Sequence, residues 1–311
     1  LAFGEDGSLL VGAGDGASLW DTGGCIAGTS CTGIADGIIT PKEDVGPYRA
    51  QLVDSLSGKI LRIDPDTGDG LHDNPFFDPA APRAPRSRVW ALGARNPFRL
   101  SVRPGSSHDR HANSPGAIYV GDVGWFKWEE IQVSRGEGGE NFGWPLYDGL
   151  LIQDIYNGGP GYYYQDVYNQ DAPNPLYGTT PPGQGLCDQP FFRFRDLIHQ
   201  DTLLENPSYP NPCDPTQQVP ANILKHIHTR PKIEFRHNSL LARTPTYTGT
   251  SATINTLGSV NSPVTGAPFQ GECVIGGTWY SEGIFPEEYH DTYFQADWSS
   301  GWIRNFVFDE E

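Results

Sequence analysis

One short unit recurs along this chain and limits what the chain can fold into. Each copy is an apolar strand that ends in Gly-Asp or Ala-Asp and runs into a tight loop. The copies are "SLLVGAGDGAS" (8–18), "AIYVGDVGW" (117–125) and "TYFQADWSSG" (292–301). Short β-branched and aromatic runs bounded by Gly, Pro, Asn and Asp are typical of strands. The unit therefore predicts strand–loop–strand modules.

A second strand follows each loop. The second strands are "GKILRIDP" (58–65), "EEIQV" (129–133) and "GWIRNFVFD" (301–309), and further strands are predicted at "RVWALG" (88–93) and "ECVIGGTWY" (272–280). A long amphipathic helical pattern is hard to find. We therefore predict an all-β fold.

Recurrence of such sheet units at wide spacing favours a β-propeller. A β-sandwich is the alternative, but it does not explain why the same unit returns after long, variable insertions. Those insertions are 20–57, 146–230 and 238–271, and they are rich in Pro, Gly, Tyr and Asn. We interpret them as surface loops that carry function or contacts.

Charge and hydropathy exclude several classes of function. The net charge of −17 argues against a nucleic-acid surface, which needs clustered Lys and Arg, and it is compatible with divalent cations or sugars. No run of about 18 apolar residues occurs, so we expect no membrane-spanning helix. Aromatic residues make up 12% of the chain, enough to build a core in its 311 residues.

The five cysteines favour an oxidised protein. Cys25 and Cys31 lie in one Gly-rich loop, and Cys187 and Cys213 flank a Pro-rich segment, so each couple is a candidate disulfide that leaves Cys273 over. Reduced, buried thiols are the alternative. Because the chain begins at a leucine in mid-hairpin, we interpret it as a processed or partial piece of something longer.

A His-Ile-His sequence at 226–228 invites a metal interpretation. In a strand the two rings would share a face. No third ligand is evident, so we favour a solvated pair.

Five ordered motifs give the chain a family resemblance. They are "DSLSGKILRIDPDTG" (54–68), "RVWALGARNPFRL" (88–100), "GDVGWFKWEEIQV" (121–133), "GGENFGWP" (138–145) and "GGTWYSEGIFPEEYHDTYFQADWSSGWI" (276–303). In this order they resemble the glucose/sorbosone dehydrogenase family, the soluble PQQ-dependent sugar dehydrogenases, to which the hedgehog-interacting-protein propeller is related.

The resemblance implies a six-bladed β-propeller, of which residues 1–311 would form a single partial domain of about four to five blades. It also implies that pyrroloquinoline quinone (PQQ) and calcium lie over the top of the propeller. In that mechanism a histidine takes the proton from a sugar hydroxyl while the hydride passes to the quinone.

Several positions match the family's cofactor site. Arg95 and Asn96 align with a pair that meets the quinone and its carboxylates, and an Arg fork suits a planar anion. Gly124 and Trp125 fall where two backbone carbonyls face the cofactor-side calcium. The loop of Asp15 lies near the cofactor in the family. The alternative is that Asn96 makes only a turn and Arg95 a surface ion pair.

A second calcium site is implied nearby. Glu129 and Glu130 align with an acidic pair whose second member contributes to a structural calcium site, and the backbone carbonyl of Phe142 would join it. The two acids of an extended strand point to opposite faces, so we assign Glu130 to the ion. An exposed edge charge that discourages strand pairing is the alternative.

Each strand-ending acid also has a structural interpretation. Asp15, Asp122 and Asp297 are expected to accept hydrogen bonds from backbone N–H groups of the following turn. Asp15 is the exception for which we also expect a role beside the cofactor.

The sequence departs from the family pattern at the catalytic base and at one lysine. The family's general-base histidine would lie just upstream of Leu1, so the catalytic base is unknown. His237 is the best local candidate for catalysis or cofactor contact, with Phe235 on the same face as a stacking ring, although a plain strand histidine is the alternative. Ser299 stands where the family has a lysine.

Two functions follow from this pattern. The first is an extracellular or periplasmic PQQ-dependent aldose dehydrogenase with calcium, whose sugar would lie against aromatic residues such as "GYYYQDVY" (161–168). The second is a non-catalytic propeller that binds a glycan or a protein, or a module of a larger surface or filament assembly.

Overall fold

A computed structural model describes residues 1–17, 29–107, 113–152, 166–200, 207–248 and 251–308. Its strands are β1 (Ala2–Phe3), β2 (Leu9–Ala13), β3 (Lys59–Ile63), β4 (Val89–Leu92), β5 (Pro97–Val102), β6 (Ile118–Asp122), β7 (Trp128–Ser134), β8 (Tyr147–Asp148), β9 (Leu151–Ile152), β10 (Tyr168–Pro173), β11 (Phe191–Arg193), β12 (Ile198–His199), β13 (Pro210–Asn211), β14 (Asp214–Gln218), β15 (His226–Ile227), β16 (Ile233–Arg236), β17 (Ala242–Thr248), β18 (Ser251–Thr256), β19 (Val274–Tyr280), β20 (Thr292–Asp297) and β21 (Trp302–Phe306).

Helices are few and short in the same ranges. They are α1 (Thr29–Ala35), α2 (Pro85–Arg88) and the 3-10 helices Pro41–Glu43, Gly46–Gln51, Phe194–Leu197 and Glu287–Tyr289. No helix within the described ranges has the length and apolar character that crossing a membrane requires. The prediction of an all-β fold is confirmed, and every strand predicted from the repeated unit is present.

Three antiparallel sheets carry the architecture. The first has the strand order β1-β2-β3-β4, the second β18-β17-β16-β7-β6-β5, and the third β19-β20-β21. Two of the predicted insertions contribute to this framework. The segment 238–271 supplies β17 and β18 to the second sheet, and the segment 20–57 supplies α1 and buried residues such as Tyr48.

The second sheet is buried on both faces because its strands alternate between two cores. Ile118 and Val120 pack with residues of the first sheet, whereas Tyr119, Ile131 and Val133 pack with residues of the third. Aromatic rings fill both interfaces and bury large areas. Face-to-face packing of successive antiparallel sheets is the arrangement predicted for neighbouring propeller blades.

A pair of glycines lets the third sheet approach closely. A Cβ on Gly121 in β6 would lie 2.7 Å from the backbone nitrogen of Gly276 in β19, and a Cβ on Gly276 would lie 2.5 Å from Cβ of Arg99. No side chain fits at either position without a main-chain shift. The glycines of the "GG" motif therefore set the distance between the two sheets.

A buried arginine ties loops to the first sheet. The Arg62 side chain is 1% exposed and pairs with Asp6 at 2.6 Å and with Asp73 at 2.8 Å. It also donates to Asn74 Oδ1 at 3.0 Å, and its guanidinium lies 4.9 Å from the Trp90 ring centroid. A charge this deeply buried is stable only with such partners.

The insertion 146–230 has a small core of its own. Its described residues form four two-stranded sheets and a buried cluster of Ala172, Phe192, Leu197, Tyr209, Val219 and Ile223. The predicted Cys187–Cys213 disulfide is present, and Cys273 is free as expected. Cys31 is also in a disulfide, but Cys25, its predicted partner, lies outside the described residues.

The expectation of a solvated histidine pair is wrong for His228. This residue is fully buried and its ring stacks on Tyr147, with centroids 4.1 Å apart. Neither ring nitrogen has a hydrogen-bond partner in the described part of the chain. Burial, helped by nearby Arg230, lowers the pKa of His228 to about 3, so the ring is neutral. The aromatic stack covers it.

Candidate functional site

The site is built where β2, β4 and β6 end side by side. Asp122, the last residue of β6, accepts hydrogen bonds from the backbone N–H groups of Arg95 (3.0 Å) and Asn96 (2.6 Å). These two residues form the turn between β4 and β5. The sequence predicted that Asp122 would cap the turn that follows β6. Instead its carboxylate caps the neighbouring turn at Arg95 and Asn96. This contact positions Arg95.

The Arg95 side chain is held by backbone carbonyls. Its Nη1 donates to the carbonyl oxygens of Val123 (2.7 Å) and Gly124 (3.0 Å). The guanidinium carbon lies 5.6 Å from the centroid of the Trp144 ring. Nε and Nη2 make no hydrogen bond within the described residues, and the residue is half-buried. Within the described part of the chain, one edge of the guanidinium is therefore open to an acceptor.

Asp15 joins this cluster from the end of β2. Its carboxylate accepts from Trp144 Nε1 at 2.7 Å and from the backbone N–H of Ala17 at 3.1 Å. Burial raises the pKa of Asp15, and the two hydrogen bonds and the nearby Arg95 and Arg49 offset part of that effect. The prediction that Asp15 caps its own turn is confirmed, and its second contact places it beside Arg95.

Gly124 is the closest point between two parts of the site. A Cβ built on it would lie 1.5 Å from the carbonyl oxygen of Trp128 and 3.5 Å from Glu129 Oε1. Only glycine fits this approach of one backbone to another. Gly124 therefore accepts a hydrogen bond from Arg95 and lies close to the Glu129 carboxylate.

Glu129 and His237 form a buried pair. Glu129 Oε1 lies 2.6 Å from His237 Nε2, and Oε2 accepts from the backbone N–H of Val274 at 2.6 Å. The side chains are 0% and 10% exposed. Burial raises the pKa of Glu129, and the histidine contact lowers it in part. The carboxylate holds the ring by one nitrogen, an arrangement typical of an oriented proton acceptor.

Phe235 does not point at an open cofactor surface. Its ring is fully buried and packs against Phe269 (centroids 5.0 Å apart) and Trp302 (5.4 Å). Its position opposite Glu129 in the β7–β16 ladder shows that it supports that strand pair from within the core.

Glu130 points away from Glu129, as predicted. It lies in a transverse row of acids, Asp122–Glu130–Glu234, set by the pairing of β6, β7 and β16. Directly opposed like charges destabilise a sheet unless they are neutralised. Arg243 contacts Glu234 at one end of the row, while Glu130 accepts hydrogen bonds from the backbone N–H of Gly149 and from Gln132 Nε2.

Burial raises the pKa of each acid in this row. Burial is the main cause that raises the pKa of Asp122 and of Glu234 to about 7. Burial also raises the pKa of Glu130 well above its usual value, and the charges of Asp122, Asp148 and Glu234 add to this. The row is therefore short of positive charge at neutral pH.

One buried oxygen next to this acidic row accepts no hydrogen bond in the described ranges. Gln132 is fully buried and its Oε1 has no hydrogen-bond partner in the described part of the chain. No three His, Cys, Asp or Glu side chains converge as a ready metal cluster in those same ranges. Phe142, the third residue assigned to a structural calcium, has its ring in the core of the first sheet and its amide bonded to the Leu92 carbonyl at 2.9 Å.

The remaining predicted positions lie outside the Arg95 and Glu129 contacts. Trp125 is partly buried and its ring lies against that of Phe126, with centroids 3.6 Å apart. Asp297 accepts from Ser300 N in its own turn and from Cys273 N, as a structural cap. Ser299, at the family's lysine position, donates to Glu272 on the surface.

Sequence reasoning missed two members of this neighbourhood. Trp144 bridges Asp15 and Arg95, although it stood in a motif that was used only for resemblance. Lys59 is fully buried and donates to the carbonyls of Arg49, Ala50 and Ser57, and burial lowers its pKa to about 7. The signal for Lys59 was a charge at the start of a strand whose other residues, apart from Arg62, are apolar.

Comparisons with known proteins extend this description. Two curated relatives from Arabidopsis thaliana are the HIPL2 protein, 27% identical over 167 residues, and the HIPL1 protein, 30% identical over 166 residues. These alignments cover 49% and 48% of this chain but only 19% and 18% of the relatives. The chain thus spans about a fifth of their length.

Solved structures resemble the chain more weakly. The PQQ-bound form of an aldose sugar dehydrogenase from Streptomyces coelicolor matches with 17% identity and a TM-score of 0.32, covering 98% of this chain and 59% of the other. A glucose dehydrogenase matches with 19% identity and a TM-score of 0.34, covering 96% and 60%.

The family comparison covers more than half of the chain. The model of the family described as glucose/sorbosone dehydrogenase matches residues 1–178, which include the Asp15, Arg95 and Glu129 positions of the site. The chain therefore belongs to the glucose/sorbosone dehydrogenase family.

Proposed function

We propose that the chain is the site-bearing part of a quinone-dependent sugar dehydrogenase that acts outside the cell or in the periplasm. The observation that carries the proposal is the continuous cluster Asp15–Trp144–Arg95–Gly124–Glu129–His237, assembled by a member of this family. The cluster places the Arg95 guanidinium, one edge of which is open within the described residues, near His237, whose ring Glu129 orients. PQQ, when bound, would supply the hydride acceptor.

Arg95 would hold the quinone. Its Nη1 is fixed by two carbonyls and its plane lies near Trp144, so the guanidinium is oriented before any ligand arrives. The free Nε and Nη2 can grip a carboxylate or quinone oxygen as a planar fork. The buried Asp15 keeps Trp144 in place and thereby keeps the orientation of Arg95.

His237 is the histidine of the described residues best placed to accept a proton. Glu129 holds its Nε2. Nδ1 would therefore be the nitrogen that accepts a proton from a substrate hydroxyl. An ionised Glu129 would stabilise the cation that forms when the ring takes the proton. Glu129 is thus a positioning residue, and His237 is the proposed base.

Substituting His237 by glutamine tests this assignment. We expect kcat for sugar oxidation to fall about 100-fold or more while KM changes little, because an amide retains a hydrogen bond to Glu129 but cannot take the proton. The measurement is a dye-linked assay of the purified chain with added PQQ and calcium. His72, which is exposed, is the matched control as His72→Gln.

Two results would count against this function. Unchanged kcat in His237→Gln would remove the histidine from the mechanism. No PQQ binding at micromolar concentration, with no sugar oxidation in the parent chain, would remove the dehydrogenase proposal itself.

Calcium fits the acidic row by charge. Asp122, Glu130 and Glu234 place buried carboxylates on neighbouring strands with one arginine among them, and the orphaned Gln132 Oε1 is a further hard oxygen. A divalent ion held by Glu130 and Gln132 would supply the missing positive charge. At Gly124 a cation would instead compete with Arg95 for the same carbonyl.

This charge deficit predicts an unusual pH dependence. The folded chain keeps protons on Asp122, Glu130 and Glu234 that the unfolded chain loses near pH 4, so the free energy of unfolding falls as pH rises from about 5 to 8. Calcium would favour the ionised acids. We expect calcium to raise Tm more at pH 8 than at pH 5.5, measured by calorimetry with and without chelator.

Glu130→Gln sharpens the calcium test. We expect this variant to lose the calcium-dependent gain in Tm at pH 8, yet to match or exceed the parent in chelator, because it replaces a buried acid whose ionised form burial disfavours. Glu288→Gln, at an exposed acid, is the control and should behave like the parent. An equal calcium gain in parent and Glu130→Gln would exclude the row as the ion's site.

A second function has two observations in its favour. The Gly124 carbonyl is already satisfied by Arg95, and Ser299 replaces the family's lysine, so the cofactor surface has fewer free groups than the resemblance implies. This favours a propeller that binds a glycan or a protein without oxidising it. Sugar binding without PQQ binding in the same preparations would support that function.

A further inference from the structure

A cavity of about 390 Å³ lies apart from the Arg95 cluster. Its walls come from residues 51–54, from the loop 75–77 with Arg86, and from the insertion 146–230. Gln51 separates it from the candidate site, because its Nε2 donates to the Trp144 carbonyl at 2.8 Å. Its volume is in the range of natural ligand pockets.

Aromatic and aliphatic side chains form the apolar part of the wall. Phe76 and Phe77 are half-buried, and Phe76 meets the ring of His226 edge-on at a centroid distance of 6.4 Å. Leu224 also lines the cavity and is 47% exposed, whereas Ile223 is buried. The two phenylalanine rings therefore line the cavity without being fully covered by protein.

The polar part of the wall is neutral in sum. Arg86 pairs with Asp54 through two hydrogen bonds of 2.7 and 2.6 Å, and Asp171 pairs with Lys42. Each acid thus has its own cation, although the whole chain carries a charge of −17.

Amide groups complete this neutral wall. Asn169 and Asn222 line the cavity, and the Asn222 side chain is exposed. Asn169 Oδ1 accepts from the backbone N–H of Asp171 at 2.9 Å. A wall with paired charges and neutral amides offers fixed donors and acceptors without a net field, so it favours an uncharged polar ligand over an ion.

We propose that this cavity binds a neutral oligosaccharide. A sugar ring has apolar C–H faces that pack on phenylalanine and hydroxyl groups that pair with amides and with the planar Arg86–Asp54 array. A purely apolar ligand would leave the polar wall unpaired, and a charged one would break its ion pairs. The inference does not depend on sugar oxidation, since the cavity is a separate binding site.

Binding can be measured without quinone. The probes are maltotriose, cellotriose and chitotriose, titrated by calorimetry and by saturation-transfer NMR against the purified chain in calcium. We expect at least one probe to bind and Asn222→Ala and Phe77→Ala each to weaken it about 5-fold or more, which corresponds to about 1 kcal/mol. Asn222 is exposed, so its truncation leaves the fold intact.

The chain supplies matched controls. Arg86→Met should weaken binding, whereas Arg83→Met, which removes an equally exposed pair with Asp69 outside the cavity, should not. Tyr177→Ala removes an exposed ring elsewhere.

Three outcomes would overturn the proposal: no binding of any probe, binding unchanged in both Asn222→Ala and Phe77→Ala, or equal weakening by the controls. Failure of sugar oxidation would leave it intact, because no step of the assay uses PQQ.

Discussion

Gly124→Ala is expected to lower the free energy of unfolding by about 3 kcal/mol or more. The added methyl would lie 1.5 Å from the Trp128 carbonyl, so one of two main-chain segments must move. The same movement shifts the carbonyl that holds Arg95 and the Glu129 carboxylate beside it. We therefore expect loss of PQQ binding together with loss of stability.

Urea unfolding followed by circular dichroism measures the change. Gly185→Ala is the matched control, because its Cβ would meet nothing within 4 Å and the residue needs no positive φ. Its stability should stay within about 0.5 kcal/mol of the parent. A midpoint for Gly124→Ala equal to that of Gly185→Ala would show that the backbone at Gly124 lies farther from Trp128 than described.

Arg62→Met is expected to cost about 3–5 kcal/mol, because it leaves a buried carboxylate without its cation. The Asp6 side chain is only 8% exposed, and Arg62 is its partner at 2.6 Å. Thermal unfolding at pH 7 measures the cost.

Arg83→Met controls for the loss of a surface arginine. Its pair with Asp69 is exposed, and such pairs contribute about 1 kcal/mol at most. Replacing Asp6 and Arg62 together should recover part of the stability, because no unpaired charge remains. If Arg62→Met and Arg83→Met unfold at the same temperature, the buried network has no special role.

Most of the strand framework could be predicted from the sequence. The runs at 58–65, 88–93 and 272–280 are short, β-branched and bounded by turn residues, and each forms a strand. The pairing of β7 with β16 could not be predicted, because about a hundred residues of chain separate the two strands and local patterns do not encode such pairing.

The residues of the site could be predicted from the sequence better than the contacts between them. Opposite orientation of Glu129 and Glu130 follows from strand geometry alone and is confirmed. The contact of Arg95 with the Gly124 carbonyl depends on how two loops pack against each other. The residue types alone do not predict that packing. The acidic row depends on register across three strands, so Glu234 could not be associated with Glu130 before the sheet was known.

Burial of His228 was missed for a related reason. The alternation of side chains along a strand predicts which residues lie on the same face of that strand. It does not predict whether a neighbouring insertion covers that face. The ring of Tyr147 comes from the insertion 146–230, and its stacking against His228 excludes solvent.

The Cys187–Cys213 bond has a practical consequence for anyone who prepares this protein. The two cysteines are 26 residues apart in the sequence. The loop that they close lies between segments 169–172 and 222–226, and both segments line the 390 Å³ cavity. Cross-links of this span restrict the unfolded chain by about 3 kcal/mol. A thiol reductant in the buffer, or production in a reducing cytoplasm, would loosen that wall while the three large sheets stay folded, so glycan-array results would vary with how the sample was made.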